Sequence, residues 1–352
     1  MVEGDLRKVL DKSFSGDLYY TCVFPHKVIG GLSLSRETIP LDLPLPPGKG
    51  LSHALLEIGV RTQNTGVAWR VKANGINVTR EFKPTVLTKI GSGYFAKFVF
   101  DITSILKSQE SVNKSRVNVT FKREGGEPIV IEHLGLLTLY EASEAKATIR
   151  YYSGALALEP GEEQSINIGF IGENPIFRSV VYMPHRSAKA IIRINDKHAI
   201  NLANMQGLNE VLEKLTGIHS IDTVEFVHSS TGEMYNPRQT LVSNLILYRV
   251  EYAEPKLVIE DVELYRVSQG IVKARVRITN KGTSRPDKSL LVVMSLGNVL
   301  SSKQIKLLEP GSGEVVELEL PLQSGEYELV FRVIWRKLAK TSFQDYRLKT
   351  SI

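Results

Sequence analysis

The chain has 352 residues, a formal net charge of +6, 42% hydrophobic residues and a single cysteine, Cys22. This length allows about two or three domains, and one cysteine excludes both an intramolecular disulfide framework and a cysteine-rich zinc site. The modest charge excess is weaker than in dedicated nucleic-acid-binding domains, so we expect no nucleic-acid partner.

The N-terminal sequence MVEGDLRKVLDKSF contains no apolar stretch of signal-peptide length. No segment of the chain reaches the roughly 18 consecutive apolar residues that would span a bilayer. If Met1 is the native start, we expect a cytoplasmic protein. If a signal peptide has been removed, we expect a cell-surface or secreted protein.

The first module is predicted to cover residues 1–143 and to consist of antiparallel sheet with one solvated face. In YFAKFVFDI, residues 94–102, apolar side chains alternate and share one face of a strand. This strand ends at Asp101, after which the hydroxyls of Thr103 and Ser104 can cap a short helix. The alternating RVNVTFK, residues 116–122, predicts the next strand.

The second module is predicted to cover residues 144–253 and to duplicate the first. LPPG at 45–48 has a counterpart in LEPG at 158–161, and Tyr140 matches Tyr248. In NLANMQGLNEVLEKLTG the apolar residues recur at helical spacing between candidate caps at its two ends. This pattern predicts a helix near 201–216.

The third module is predicted to cover residues 254–352 and to end in a basic C-terminal tail. Short strands recur between Pro, Gly and Asn turns through most of the chain. The sequence therefore predicts an all-β fold of three tandem β-sandwich domains, two jelly-roll-like and one immunoglobulin-like, with one or two short helices.

Two segments resemble known families. FVFDITSIL and SRVNVTFK, within residues 98–122, resemble the galactose-binding-like jelly roll, as in the sugar-binding sandwich of glycoside hydrolase family 2. This resemblance implies a fold rather than a ligand. Asp101 is then a strand-to-helix corner residue, with a calcium or sugar ligand as the alternative. Residues 256–336, with ITNKG and LEPG, resemble a CARDB-type immunoglobulin-like module, which implies a spacer or docking role.

Catalytic signatures are not found in the sequence. The seven histidines form no H-E-x-x-H or close ligand pair, and no G-x-S-x-G elbow, P-loop or Rossmann fingerprint occurs. Glu162 and Glu163 are adjacent in a turn, whereas glycoside hydrolysis needs two carboxylates that face each other. We therefore predict a protein that is not an enzyme, without catalytic residues, metal or cofactor.

Binding surfaces are the stronger hypothesis, because aromatic side chains beside polar groups suit sugar stacking or protein hot spots. Three places have this composition, and their residues are Arg61, Asn64 and Trp69; His185, Arg186, Tyr235 and Arg238; and Trp335, Arg336, Lys337, Lys340, Tyr346 and Arg347. The last group mixes basic and aromatic residues, which also suits an acidic partner or nucleic acid. The leading hypothesis is a non-catalytic scaffold or assembly subunit that binds other proteins or itself. The alternative is carbohydrate binding through jelly-roll loops.

Overall fold

A computed structural model describes residues 2–44, 50–79, 83–108, 115–123, 126–230, 238–268, 270–337 and 340–352. About 70% of the chain is strand and 2% is helix, which confirms the predicted all-β class. Its contacts form two compact units, Met1–Glu251 and Tyr252–Ile352. Among the described residues, no helix has the length and apolar character that crossing a membrane requires.

The first unit contains two sets of elements in chain order. The first set is β1 (Glu3–Val23), β2 (Lys27–Ile29), β3 (Arg36–Asp42), β4 (Leu51–Thr62), β5 (Arg70–Ala73), β6 (Ile76–Asn77), β7 (Val86–Ile90), β8 (Gly93–Asp101), α1 (Thr103–Lys107), β9 (Arg116–Lys122) and β10 (Ile129–Leu158). The second set is β11 (Glu163–Ile171), β12 (Ile176–Met183), β13 (Ala190–Ile194), β14 (His198–Leu202), β15 (Gly207–Lys214), β16 (Ser220–His228) and β17 (Thr240–Tyr252).

These elements build two sandwiches with the same order of strands in one of their sheets. The first has a sheet in the order β3-β9-β5-β6, and the second has β11-β16-β13-β14. Their remaining strands lie in one large sheet. In that sheet β4 is the neighbour of β10 in the first sandwich, and β12 is correspondingly the neighbour of β17 in the second. The matching strand orders extend the similarity between the two modules from short sequence motifs to topology.

The two longest strands, β1 and β10, pair antiparallel and run through both sandwiches. Glu57 lies opposite Gly135 on β10, yet its carboxylate is hydrogen-bonded by Tyr151 and Ser153 further along the same strand. An extended strand would place Gly135 and Ser153 about 60 Å apart. The β1–β10 ribbon must therefore fold back, near the register shift between Ser15 and Gly16.

Folding back of the ribbon gives the first unit four layers of sheet. One apolar core lies between the first half of the large sheet and β3-β9-β5-β6, and a second lies between its other half and β11-β16-β13-β14. Between the two halves lie smaller clusters that include Leu137, Leu139, Ile149 and Tyr151, all from β10. Because both faces of each half are covered, β10 is apolar on both sides.

The corner after β8 has the predicted form, but its hydrogen bonds differ from the predicted caps. Asp101 Oδ1 accepts the backbone N–H of Thr103 at 2.9 Å, and the Thr103 hydroxyl accepts the N–H of Ala54 at 2.9 Å. The residue at the N-cap position of α1 is Ile102, without a side-chain cap. Asp101 therefore closes an Asx turn that directs the chain into α1.

The helix predicted near 201–216 is wrong: the segment forms the end of β14, a turn and β15. Asn204 and Gly207 adopt φ of +60° and +74°, which breaks any helix at this point. Beyond the turn, Gly207–Lys214 pairs along its whole length with β12. On this edge strand Val211 is buried and Leu212 is 57% exposed, so the leucine spacing did not reflect a buried helical stripe.

The second unit is a separate sandwich of two sheets. Its strands are β18 (Leu257–Ser268), β19 (Ile271–Asn280), β20 (Lys288–Ser295), β21 (Asn298–Gln304), β22 (Gly313–Pro321), β23 (Glu326–Lys337) and β24 (Lys340–Ser351). One sheet has the order β18-β19-β22 and the other β21-β20-β23-β24. The two inner faces enclose one apolar core, in which Phe331 is fully buried.

Candidate functional site

The outer face of the β21-β20-β23-β24 sheet is unusually apolar. Alternate residues of β20 and β23 fill the core, so their neighbours point away from it. The outward apolar side chains form what we call the apolar face: Leu290, Val292, Met294, Val299, Val330, Ile334 and Phe343. Phe343 is 59% exposed and Val299 is 62% exposed. A solvated sheet face is normally polar, which makes this face a candidate interface.

Strand register arranges most of the apolar face in two rows. Ile334 of β23 lies directly opposite Leu290 on one side and Phe343 on the other. A second row is formed by Val330, Met294 and Val299. Directly opposed side chains on one sheet face are in contact distance, so each row is contiguous. Between the two rows lie Val292, which is 8% exposed, and the Arg332–Asp345 pair.

The opposite outer face of the same sandwich has the ordinary polar character. On β19 and β22 the outward residues form ion pairs, with Lys273 Nζ 2.8 Å from Glu317 Oε2 and Arg275 Nε 3.9 Å from Glu317 Oε1. Exposed apolar side chains on the strands of this sheet are Tyr265, Val267, Ile271 and Val315; Val315 is 45% exposed and lies opposite Arg277. Within one module, therefore, the two outer sheet faces differ: ion pairs connect β19 and β22, whereas rows of apolar side chains cross the other sheet.

Basic residues outnumber acidic ones on and around the apolar face. Arg332 binds Asp345 through two hydrogen bonds of 2.7 and 2.8 Å, and its guanidinium lies 4.4 Å from the centre of the Phe343 ring. The Arg332 guanidinium lowers the pKa of Asp345, keeping it charged. The other charged residues on these outward positions are Lys288, Arg336, Arg347, Lys349, Glu326 and Glu328.

A shallow depression of about 310 Å³ lies at one end of the apolar face. Leu290 and Ile334 form its apolar floor, while Lys288, Gln304 and Arg336 border it. A small apolar pocket with polar margins can receive an anchoring side chain from a partner.

The structure places the predicted C-terminal site residues on both sides of this sheet. Arg336 and Arg347 lie on the outer side with the apolar face. Trp335 is only 8% exposed and belongs to the core, and Tyr346 packs against that core. Lys337 Nζ lies 3.5 Å from Asp287. The side chain of Lys340 lies outside the described residues.

The first predicted group does not form an exposed aromatic site. Trp69 is 2% exposed and packs against Phe98 and Phe121 in the core of the first sandwich, so it cannot stack on a sugar. Arg61 Nε lies 3.3 Å from Glu132. Asn64 lies in the loop after β4, where its backbone N–H donates to the Thr62 hydroxyl. The sequence missed that the tryptophan belongs to the core.

The residues predicted in the second module are engaged locally. His185 Nδ1 lies 2.7 Å from the Ser187 hydroxyl, next to the exposed Arg186. Arg238 donates to Glu159 at 2.8 Å. Tyr235 lies outside the described residues. These contacts are typical of surface turns.

The structure also assembles a buried polar cluster that the sequence analysis missed. It lies between the two halves of the large sheet, and its members are Tyr20, Glu57, Lys97, His133, Tyr151, Ser153, Ser243 and Asn244. Lys97, His133, Ser243 and Asn244 have no exposed surface, and Glu57 is 1% exposed.

Glu57 is the centre of the cluster. Its Oε1 accepts hydrogen bonds from the Tyr20 hydroxyl and from Asn244 Nδ2, the latter at 2.6 Å. Its Oε2 accepts from the hydroxyls of Tyr151 and Ser153 at 2.6 and 3.1 Å, and lies 3.0 Å from Lys97 Nζ. Each oxygen thus has several donors, which a buried carboxylate requires.

The charges of the cluster follow from burial and from mutual contact. Burial acts to raise the pKa of Glu57, but Lys97, His133 and the tyrosine hydroxyls outweigh it and lower the pKa to about 2. Burial, assisted by the Lys97 charge, lowers the pKa of His133 to about 3. His133 is therefore neutral at pH 7, and its Nδ1 accepts from Lys97 Nζ at 3.0 Å.

The buried polar cluster leaves no room for a side chain at Gly135. A Cβ atom at this position would lie 2.5 Å from Glu57 Oε1 and 2.6 Å from the Tyr20 hydroxyl. We expect Gly135→Ala to destabilise the first unit by about 1–3 kcal/mol through overpacking. Gly66→Ala is the matched control, because its Cβ would meet nothing within 4 Å. Urea unfolding of both variants measures the difference, and equal midpoints would contradict the prediction.

A second surface feature is a groove of about 830 Å³ beside α1 in the first sandwich. It is lined by polar, aliphatic and aromatic residues, namely Ile76, Asn77, Val78, Lys83, Thr85, Phe98, Val99, Phe100, Asp101, Thr103, Ser104, Ile105 and Lys107. The rings of Phe98 and Phe100 are 6.2 Å apart and nearly parallel, but Phe98 is buried and only Phe100 is partly accessible.

Comparison with solved structures finds glycoside hydrolases of low similarity. A GH2 β-galacturonidase from Eisenbergiella tayi has a TM-score of 0.23 and 13% identity, covering 59% of this chain and 35% of that chain. A Ruminococcus gnavus β-glucuronidase has a TM-score of 0.20 and 10% identity, covering 58% and 35%. A putative β-galactosidase from Bacteroides fragilis has a TM-score of 0.23 and 13% identity, covering 58% and 32%.

The match spans about a third of the length of these hydrolases. No family model matches the chain, and no curated protein matches it. The class that fold and surface define is therefore a two-unit β-sandwich protein with a candidate interface on its second unit.

Proposed function

We propose that the protein is a non-catalytic interaction protein that docks a protein partner through the apolar face. The observation that carries this proposal is the contrast between the two outer faces of the second unit: ion pairs connect β19 and β22 on one, whereas rows of directly opposed apolar side chains cross β20 and β23 on the other. The resemblance of this unit's sequence to CARDB-type modules agrees with a docking role.

The charges around the apolar face favour a particular kind of partner. Basic residues on the outward positions of this face outnumber acidic ones, and Arg332 pairs with Asp345. A second copy of the same face would bring like charges together, which opposes self-association. The partner should therefore present apolar residues bordered by Asp or Glu.

Binding measurements on two matched variants test this function. Ile334→Asp places a charge in the centre of the apolar face, and Val315→Asp places one on the solvated face of the same sandwich. After cross-linking identifies a partner, we expect Ile334→Asp to weaken its affinity at least about tenfold. Val315→Asp should bind as the wild type does.

Salt dependence provides a further readout by calorimetric titration. Affinity for an acidic-bordered partner should fall as ionic strength rises, because the contributing charges are exposed. Equal affinities of the two aspartate variants would refute docking through the apolar face.

Carbohydrate binding is the second candidate function, and the groove beside α1 is the observation that favours it. Phe100 offers a partly accessible ring, while Asn77, Lys83 and Asp101 offer hydrogen-bonding groups. A glycan array, followed by titration of any bound glycan against Phe100→Ala, tests this function. An array without binding, or unchanged affinity of the variant, would remove the groove as a sugar site.

A further inference from the structure

The buried polar cluster holds an amine and a carboxamide on the same carboxylate. Lys97 Nζ lies 3.0 Å from Glu57 Oε2, and Asn244 Nδ2 donates to Glu57 Oε1 at 2.6 Å. Lys97 comes from β8 of the first sandwich, and Asn244 from β17 of the second. Both side chains are fully buried, so their approach is fixed by the packing of two sheets.

The backbone of β17 brings two consecutive side chains into the cluster. A register shift against β12 lies between Val242 and Asn244, so that Ser243 is the extra residue of a bulge. As a result, Ser243 and Asn244 both reach the cluster, where the Ser243 hydroxyl accepts from Lys97 Nζ at 2.7 Å. The backbone N–H of Val180 donates to Asn244 Oδ1 at 2.8 Å, where it can stabilise negative charge developing on that oxygen.

The surroundings favour reaction between these groups over hydrolysis. Lys97, Asn244 and His133 have no exposed surface, so bulk water is excluded. Burial lowers the pKa of Lys97, although Glu57 opposes this effect, and a neutral amine is the form that can act as a nucleophile. Holding both reactants in place replaces a slow bimolecular step with an intramolecular one.

We propose that Lys97 and Asn244 form an intramolecular isopeptide bond, with Glu57 transferring the protons. The Lys97 ammonium gives one proton to Glu57, and its Nζ then forms a bond to Asn244 Cγ. The bond between Cγ and Nδ2 breaks as Glu57 relays protons from Nζ to Nδ2. The products are a secondary amide and one ammonium ion, so atoms and charge balance without an oxidant, reductant or other reactant.

Such a bond would join the two sandwiches of the first unit covalently. Lys97 and Asn244 are far apart in sequence and belong to different sheet halves. The cross-link would therefore restrict the unfolded chain over a long loop, which is how a covalent link stabilises a fold.

Mass spectrometry of the denatured full-length chain tests the proposal. We expect an intact mass lower than the sequence mass by one molecule of ammonia, and a branched peptide joining the Lys97 and Asn244 fragments after digestion. An intact mass equal to the sequence mass would overturn the proposal. Loss of ammonia without a branched peptide would also overturn it, because cyclisation at Asn244 alone would explain that loss.

Variants distinguish proton transfer by Glu57 from a purely structural role of its side chain. Glu57→Gln keeps a hydrogen-bonding side chain of nearly the same shape but removes the proton acceptor, so the linked fraction should fall to the detection limit. Lys97→Met should give the unlinked mass, while Ser153→Ala, which removes a Glu57 partner but neither reactant, should remain linked. A linked Glu57→Gln chain would contradict the proton-transfer role. Because the wild-type mass decides the main question, variants that fail to fold do not weaken the test.

Discussion

Glu57→Ala is expected to destabilise the first unit by about 3–5 kcal/mol, the usual effect of breaking a buried ion pair. The variant leaves Lys97 fully buried without its carboxylate, and it removes the acceptor of Tyr151 and Ser153. It also opens a gap between the two halves of the large sheet, because Glu57 lies between them. Chemical denaturation followed by far-UV circular dichroism measures the effect.

The matched control is Glu141→Ala, because Glu141 is an exposed carboxylate on β10 of the same unit. This variant should stay within about 0.5 kcal/mol of the wild type, as most surface changes do. If Glu57→Ala unfolded at the same denaturant concentration as Glu141→Ala, the cluster would not hold the sandwiches together.

Acid is expected to destabilise the first unit over a defined range of pH. The pKa of His133 is about 3 when folded, against 6.5 ordinarily, so the unfolded chain binds the proton more readily. The contribution of His133 is therefore complete above about pH 6.5 and is lost as pH falls toward 3. In the chain whose Lys97 is unlinked and charged, Glu57, with a pKa of about 2 against 4.5, adds a loss between about pH 4.5 and 2. Both effects have the same sign.

At about 1.4 kcal/mol for each unit of pKa shift, the combined loss amounts to several kcal/mol. Unfolding free energies measured from pH 7 to pH 4 test the His133 contribution, with His133→Gln as the diagnostic variant. The variant should show a shallower dependence on pH, whatever its absolute stability. His133 is buried whether or not Lys97 is linked to Asn244, so the direction is the same in either form. An unchanged slope in His133→Gln would contradict the prediction.

The all-β class was predictable because alternation of apolar and polar residues directly reflects a half-buried strand. RVNVTFK, residues 116–122, forms β9 as expected, and the corner at Asp101 forms as expected. The error at 201–216 arose because leucines at helical spacing can also lie on an edge strand, where Leu212 is exposed. The turn with positive φ at Asn204 and Gly207 is what distinguishes the edge strand from a helix here.

The buried polar cluster could not be predicted because its members come from β1, β4, β8, β10 and β17. The folding back of β10 brings them together, and no local pattern specifies that fold-back. A weak signal does exist: Glu57 in LLEIGV, Lys97 in FAKFVF and His133 in IEHLGLL are ionisable residues within apolar runs. Charged residues in such runs are buried only when they are paired. Each of the three therefore indicates that a buried partner is present.

The candidate interface was predictable in part. The C-terminal segment was singled out by its mixture of basic and aromatic residues, and Arg336 and Arg347 do lie beside the apolar face. The sequence could not separate Trp335, which points into the core, from its neighbour Ile334, which points outward. Side-chain direction depends on register, and a shift by one residue exchanges the two faces.

The most direct test of docking through the apolar face is a titration of the methyl-labelled full-length chain with its partner, followed by NMR. We expect the largest shift changes at the methyl groups of Leu290, Val330 and Ile334, with Val315 on the opposite face unchanged. Changes concentrated around Val315, or on the first unit, would contradict the account.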